Sequence, residues 1–150
     1  MPISLRETAL AAVAARLTSQ ISAAIVERAR RSEVDTDNET LPRLVLTGGD
    51  LDADATLEAL MVHYTLSFVV EGYARAATDL AAEQAQSALY AQVVAALAGW
   101  EPAVAGIGDM QEAGAEFALL SADAAARPAG QFAARFSLRL IAATGNPYAA

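Results

Sequence analysis

The stretch Thr56 to Ala76, TLEALMVHYTLSFVVEGYARA, constrains the fold more than any other. Its even positions are Leu60, Val62, Tyr64, Leu66, Phe68, Val70, Gly72 and Ala74, and its odd positions include His63, Thr65, Ser67, Glu71 and Arg75. Alternation with period two is the signature of a β-strand with one buried face, and the β-branched and aromatic content agrees. At ~3.3 Å per residue, about twenty residues span roughly 65 Å, far more than the usual strand. Such a strand either bends at a bulge, for which Gly72 is the natural place, or projects beyond its own domain and needs something to pair with. The second option points to assembly rather than catalysis.

The remaining elements follow from local signals. Ser4 and Glu7 form a capping box that opens a helix, with Leu10, Val13, Leu17 and Ile21 on one face. Ala24 to Arg31 reads as a strand ending in Arg28, Arg30 and Arg31, and Ser32 to Thr40 reads as an acidic polar loop. Pro42 restarts an extended segment, Arg43 to Thr47, and Gly48, Gly49 and Asp50 mark a turn before a second acidic stretch, Asp50 to Asp54. Thr78 caps a second helix with Ala85, Leu89, Val93, Ala96 and Leu97 inward, Gly99 past its end and Trp100 folded back on it. Ala105 to Gln111 and Ala115 to Leu120 read as strands flanking a turn at Glu112–Gly114, and Ser121 to Gly130 as a loop. Gln131 to Ala143 alternates again, with Phe132, Ala134, Phe136, Leu138 and Leu140 on one side, and residues 143–150 form a C-terminal tail. The expectation is one α+β domain over 1–150: a mostly antiparallel sheet with two helices packed on one face.

Composition narrows the chemistry. The chain has 150 residues, no cysteine and a formal net charge of −8. Its ten basic residues other than His63 are all arginine, so neither thiolate nor lysine chemistry is open to it. An acidic chain does not hold nucleic acid by neutralising phosphates, but it can line a passage through which nucleic acid slides. The 55% hydrophobic content is alanine-rich and suggests surface covered by other subunits. Arg6, Glu7 and Arg16 interrupt any secretory apolar core, and the uncharged run Gln84 to Trp100 carries three glutamines, so no membrane span is expected.

Catalytic and metal patterns fail on inspection. His63 lies on the polar face of the long strand with no defensible Ser-His-Asp or Cys-His company. Asp50, Asp52 and Asp54 imitate the start of an EF-hand loop, but Ala55 stands where glycine is required and Met61 where glutamate closes the loop. Gly106 and Gly108 begin a dinucleotide fingerprint that Gln111 ends. Glu112 and Glu116 pair at strand spacing without a pocket. No catalytic residue, cofactor or metal is expected. Arg28, Arg30 and Arg31 form the concentrated positive charge, and Asp35, Asp37, Asp50, Asp52 and Asp54 the concentrated negative charge. These eight are the expected subunit-interface residues, with the arginines of one copy meeting the acidic loops of the next.

The phrases PRLVLTGGD, VEGYARAATD, LYAQVVAAL and EAGAEFALLSADAAARPAGQFAARFSLRL, within about residues 4 to 143, resemble small minor tail proteins of long-tailed bacteriophages. They look most like the tail terminator family, also found in phage-derived gene transfer particles. The resemblance implies a non-enzymatic virion protein at the head–tail junction, a homo-oligomeric ring, commonly a hexamer. It would cap the tail tube protein, join the tail to the head-side connector or stopper, and let DNA pass without binding it specifically. Two other readings remain: a different tail- or head-completion adaptor, and a small ligand-binding or cofactor-free enzymatic α+β domain needing a pocket around His63, Tyr64, Tyr73 or Trp100.

Overall fold

The computed structural model describes residues 1–54, 60–120 and 127–149. These form, in order, α1 (Leu5–Gln20), β1 (Ile25–Arg28), β2 (Arg43–Asp54), β3 (Met61–Arg75), α2 (Asp79–Leu97), β4 (Ile107–Leu120) and β5 (Ala129–Ala143). The five strands make one sheet in the order β1-β2-β3-β5-β4, antiparallel throughout except for the parallel pair β1–β2. This is the α+β architecture expected from the sequence.

Both helices lie on one face, the front. There Leu10, Val13 and Leu17 of α1 and Leu89, Val93 and Leu97 of α2 join Leu66, Phe68 and Val70 of β3 and Phe132, Phe136, Leu138 and Leu140 of β5 in one buried cluster. Phe68 and Phe136 stack across the central pair with ring centroids 5.5 Å apart. The even positions of β3 face inward, as the alternation requires. A β-carbon on Gly72 would lie 2.2 Å from the Phe132 ring, so this glycine is small because an aromatic ring occupies its face.

Helix ends follow their caps. The Ser4 side chain accepts from the Glu7 amide at 3.1 Å, and Thr78 accepts from the Ala81 amide at 3.1 Å. The capping box is not reciprocal, because the Glu7 carboxylate turns instead to Arg28. Gly99 sits past the end of α2 with φ 72°, as a left-handed C-terminal residue should. Arg16 ties the two helices: its Nε donates to the Ala96 carbonyl at 3.0 Å and its guanidinium lies 5.2 Å from the Trp100 ring centroid.

The structure corrects four expectations about the strands. β3 is fifteen residues long and paired on both sides, with β5 along its whole length and with β2 from Arg43↔Tyr73 to Asp54↔His63. Its length is therefore met inside the chain; residues 56–59 of the expected strand, like 121–126 of the expected loop before β5, lie outside the described residues. Gly48–Asp50 is not a turn but a bulge, and β2 continues to Asp54. Glu112–Gly114 is likewise a bulge within one continuous β4. The strands are longer than a local reading suggests because bulges absorb the glycines that otherwise signal turns. β1 is shorter than expected: Ala29, with φ 53°, ends it, and the Arg30 and Arg31 positions lie beyond the strand.

Candidate assembly surfaces

The parallel pairing of β1 and β2 forces the chain between them, residues 29–42, to cross over, and it does so on the back of the sheet. There Val34, Val45 and Tyr73 form a second small buried cluster, with Leu41 and Leu120 against it. Arginines hold the crossover down. Arg43, itself buried, pairs with Glu27 and donates from Nε to the Thr40 carbonyl at 3.2 Å. Arg30 makes a bidentate pair with Glu39, both contacts at 2.6 Å, reaches Glu27 at 3.1 Å, and donates to the carbonyls of Ser32 and Glu33. Arg75 donates to the carbonyls of Thr36 and Asp37 at 2.8 and 3.0 Å. The Asp35 carboxylate closes the tip by accepting from the amides of Asp37 and Asn38 and from the Asn38 side chain.

Protonation follows these contacts. The Arg30 guanidinium, and secondarily the Asp35 amide, hold the Glu39 carboxyl below its ordinary range. Hydrogen bonds from Asn38 and the Asp37 amide do the same for Asp35. Arg28 binds Glu7 of α1 in a bidentate pair at 2.6 and 3.0 Å and lowers its carboxyl too. Tyr73, buried and donating to Glu71 at 2.7 Å, has its hydroxyl pushed up by desolvation first and by that carboxylate second.

The expected intersubunit charges therefore separate. Arg28 and Arg30 have their partners within the chain, and so does the Asp35 carboxylate. The physical reason is chain connectivity: the crossover brings Glu39 back to Arg30 and the packing of α1 brings Glu7 to Arg28. Arg31 is exposed and has no partner among the described residues. Asp50, Asp52 and Asp54 lie on β2 beyond the reach of β1, all exposed, opposite β3 and away from the arginine crossover.

Sequence reasoning did not single out two exposed aromatic and aliphatic side chains on β4. Phe117 is 48% and Leu119 46% exposed, on the front face of an outer strand. Phe117 meets the Tyr90 ring edge-on at 5.1 Å. Tyr90 in turn donates to Glu112 at 2.5 Å, which raises its hydroxyl pKa. The alternation of Phe117 and Leu119 was readable, but their position at the rim depends on the sheet order, which is a nonlocal property.

The candidates for a small-molecule site do not converge. His63 pairs in register with Asp54 and Ile141, and its Nδ1 has no hydrogen-bond partner among the described residues. Tyr64 packs toward the front core, Tyr73 lies under the crossover and Trp100 at the end of α2. A cleft of about 340 Å³ between Ile21, Pro42, Ala74 and Leu89 is mostly apolar, and its one charged side chain, Arg75, is spent on loop carbonyls. Among the described residues no three acidic or histidine side chains gather as metal ligands, and no helix is long and apolar enough to cross a membrane.

No family model and no curated protein matches the chain. The fold does match a solved structure, a chain in the virion of a native gene transfer agent particle. The TM-score is 0.54 at 18% identity, covering 93% of this chain and 96% of that one.

Proposed function

We propose that this chain is a structural virion protein of a phage-like or gene transfer particle, a tail terminator that forms a ring at the head-proximal end of the tail tube. The ring ends tube growth and joins the tail to the head connector or stopper. The observation that carries this reading is the fold, which aligns along nearly its full length with a chain of a gene transfer agent virion. The open sheet supports it. Beyond the crossover its back face presents Thr47, Asp52, Thr65, Ser67, Ser137 and Arg139, a polar wall that suits a passage. With a net charge of −8, a ring of such subunits repels phosphates at short range and lets DNA pass unheld. The protein acts by assembly and needs no cofactor.

Deleting the gene from a particle-producing strain tests this. Electron microscopy should then show filled heads without tails beside tails of uncontrolled length, and supplying the protein should restore joined particles. Tails of normal length without heads would assign the chain to joining alone, as an adaptor. Normal particles would refute a virion role.

A further inference from the structure

The outer strands of the sheet are β1 and β4, and they lie in the same rows. Register runs Ile25↔Arg43↔Tyr73↔Gln131↔Ala118 at one limit and Arg28↔Leu46↔Val70↔Ala134↔Ala115 at the other. Because one of the four pairings is parallel and three antiparallel, β1 and β4 run in opposite directions. Two copies placed head to tail thus bring β1 of one beside β4 of the next already antiparallel, with front face continuing into front face. A heterologous contact of this kind forms a ring when the rotation between copies closes.

Both edges are open among the described residues. In β1 the amides of Ile25 and Ala29 turn inward, to Pro42 and Leu46, so the main-chain groups of Val26 and Arg28 turn outward. On β4, Gly99 and Trp100 clip the edge at Met110, through bonds of 2.9 and 3.1 Å, and among the described residues nothing pairs with the outer side of Ala115 to Leu120. That run carries Phe117 and Leu119, and β1 carries the exposed Ile25. Native edges of this kind are normally guarded by charge or a bulge. The remaining edge, β2 past Leu46, is guarded in both ways: it bulges between Gly48 and Leu51, carries Asp50, Asp52 and Asp54, and receives Arg6 at the Gly49 carbonyl. On β4 the acidic side chains are already engaged within the chain: Glu116 pairs with Arg135 at 2.9 Å and Glu112 accepts from Tyr90. Just past β1, Arg31 is exposed and has no partner among the described residues, whereas Arg28 is already paired with Glu7.

We propose that the partner of β4 is β1 of a second copy of this chain, so that the sheets join edge to edge around the ring. Resting on the ring reading above, this names the contact that builds the ring. In the register that buries apolar side chains on both faces, Val26 lies opposite Leu119 and Arg28 opposite Phe117 on the front. Ile25 lies opposite Leu120 on the back, and the bend at Ala29–Arg31 falls beside Glu116. Main-chain hydrogen bonds supply the attraction and the apolar pairs set the register.

The chain has no cysteine, so introduced thiols report without background. Val26→Cys with Leu119→Cys in one chain is oxidised at high protein concentration, beside each single variant. The expected result is a ladder of disulfide-linked oligomers from the double variant alone, ending at the ring. Leu119→Asp should lower ring yield about tenfold or more with the monomer melt retained, as for an exposed side chain at a contact. A dimer from Leu119→Cys alone would mean a two-fold β4–β4 contact and would overturn the proposal. So would oligomers visible by native mass spectrometry in which the pair does not cross-link, and that result leaves the ring reading standing. A chain that stays monomeric both in solution and on particles overturns the ring reading and the edge contact together.

Discussion

Two acidic segments, Ser32–Thr40 and Asp50–Asp54, look alike in composition and behave oppositely in the fold. The first is drawn onto the back of the sheet by Arg30, Arg43 and Arg75, and its Glu39 and Asp35 carboxylates are used within the chain. The second is the outer half of β2, exposed and past the end of β1. Acidic composition does not decide whether a segment belongs to the fold or to the surface. The decision is made by arginines that strand pairing delivers. The arginine-held end is tied to the body of the subunit, and the aspartate-bearing end lies exposed along the edge of β2.

The largest effect should come from removing the arginine that reaches deepest into the first region. Arg43→Ala leaves the Glu27 carboxylate without its buried partner and should destabilise the subunit by about 1–3 kcal/mol, read in a denaturant melt. Hydrogen exchange across residues 32–40 should quicken at the same time. An unchanged melt would dissolve the distinction between the two segments.

Acid should divide them next. Glu39, Asp35 and Glu7 have carboxyls lowered in the folded state. A lowered folded value means that the stabilisation is complete above the unfolded value, about 4, and is lost as pH falls through the folded value. Protection of the crossover amides should therefore hold at neutral pH and fade in acid. Glu39→Gln should flatten that dependence. An acid profile in Glu39→Gln identical to that of the parent would count against it.

Arg28→Ala is expected to cost less, about 0.2–1 kcal/mol, because its pair with Glu7 is half exposed. The smallest effect on stability belongs to Asp50→Asn with Asp52→Asn, within about 0.5 kcal/mol of the parent. That variant should nevertheless associate more readily, seen by light scattering, because its edge loses charge. Equal solubility of variant and parent would remove the guarding role of these aspartates.

Much of the fold was legible because its signals are local. The alternation of β3 and β5, the caps at Ser4 and Thr78, and Gly99 at the helix end each depend on neighbours in sequence. What escaped reading depends on partners far along the chain. Gly48–Asp50 and Gly114 look like turns, and only the pairing of β2 with β3 and of β4 with β5 makes them bulges. Arg43 looks like any strand-initiating arginine, and its burial against Glu27 exists only because β1 and β2 run parallel. The charge clusters were visible as clusters. That Arg30 would find Glu39 in its own chain required the crossover, and that Phe117 would stand at a rim required the strand order.

Whether the subunit works as the closed ring proposed above is decided by native mass spectrometry of the purified chain over a range of concentrations. One dominant closed oligomer is expected, six copies on the resemblance to tail terminators, with matching stoichiometry in isolated particles. A strict monomer in solution that also occurs as a single copy per particle would contradict it.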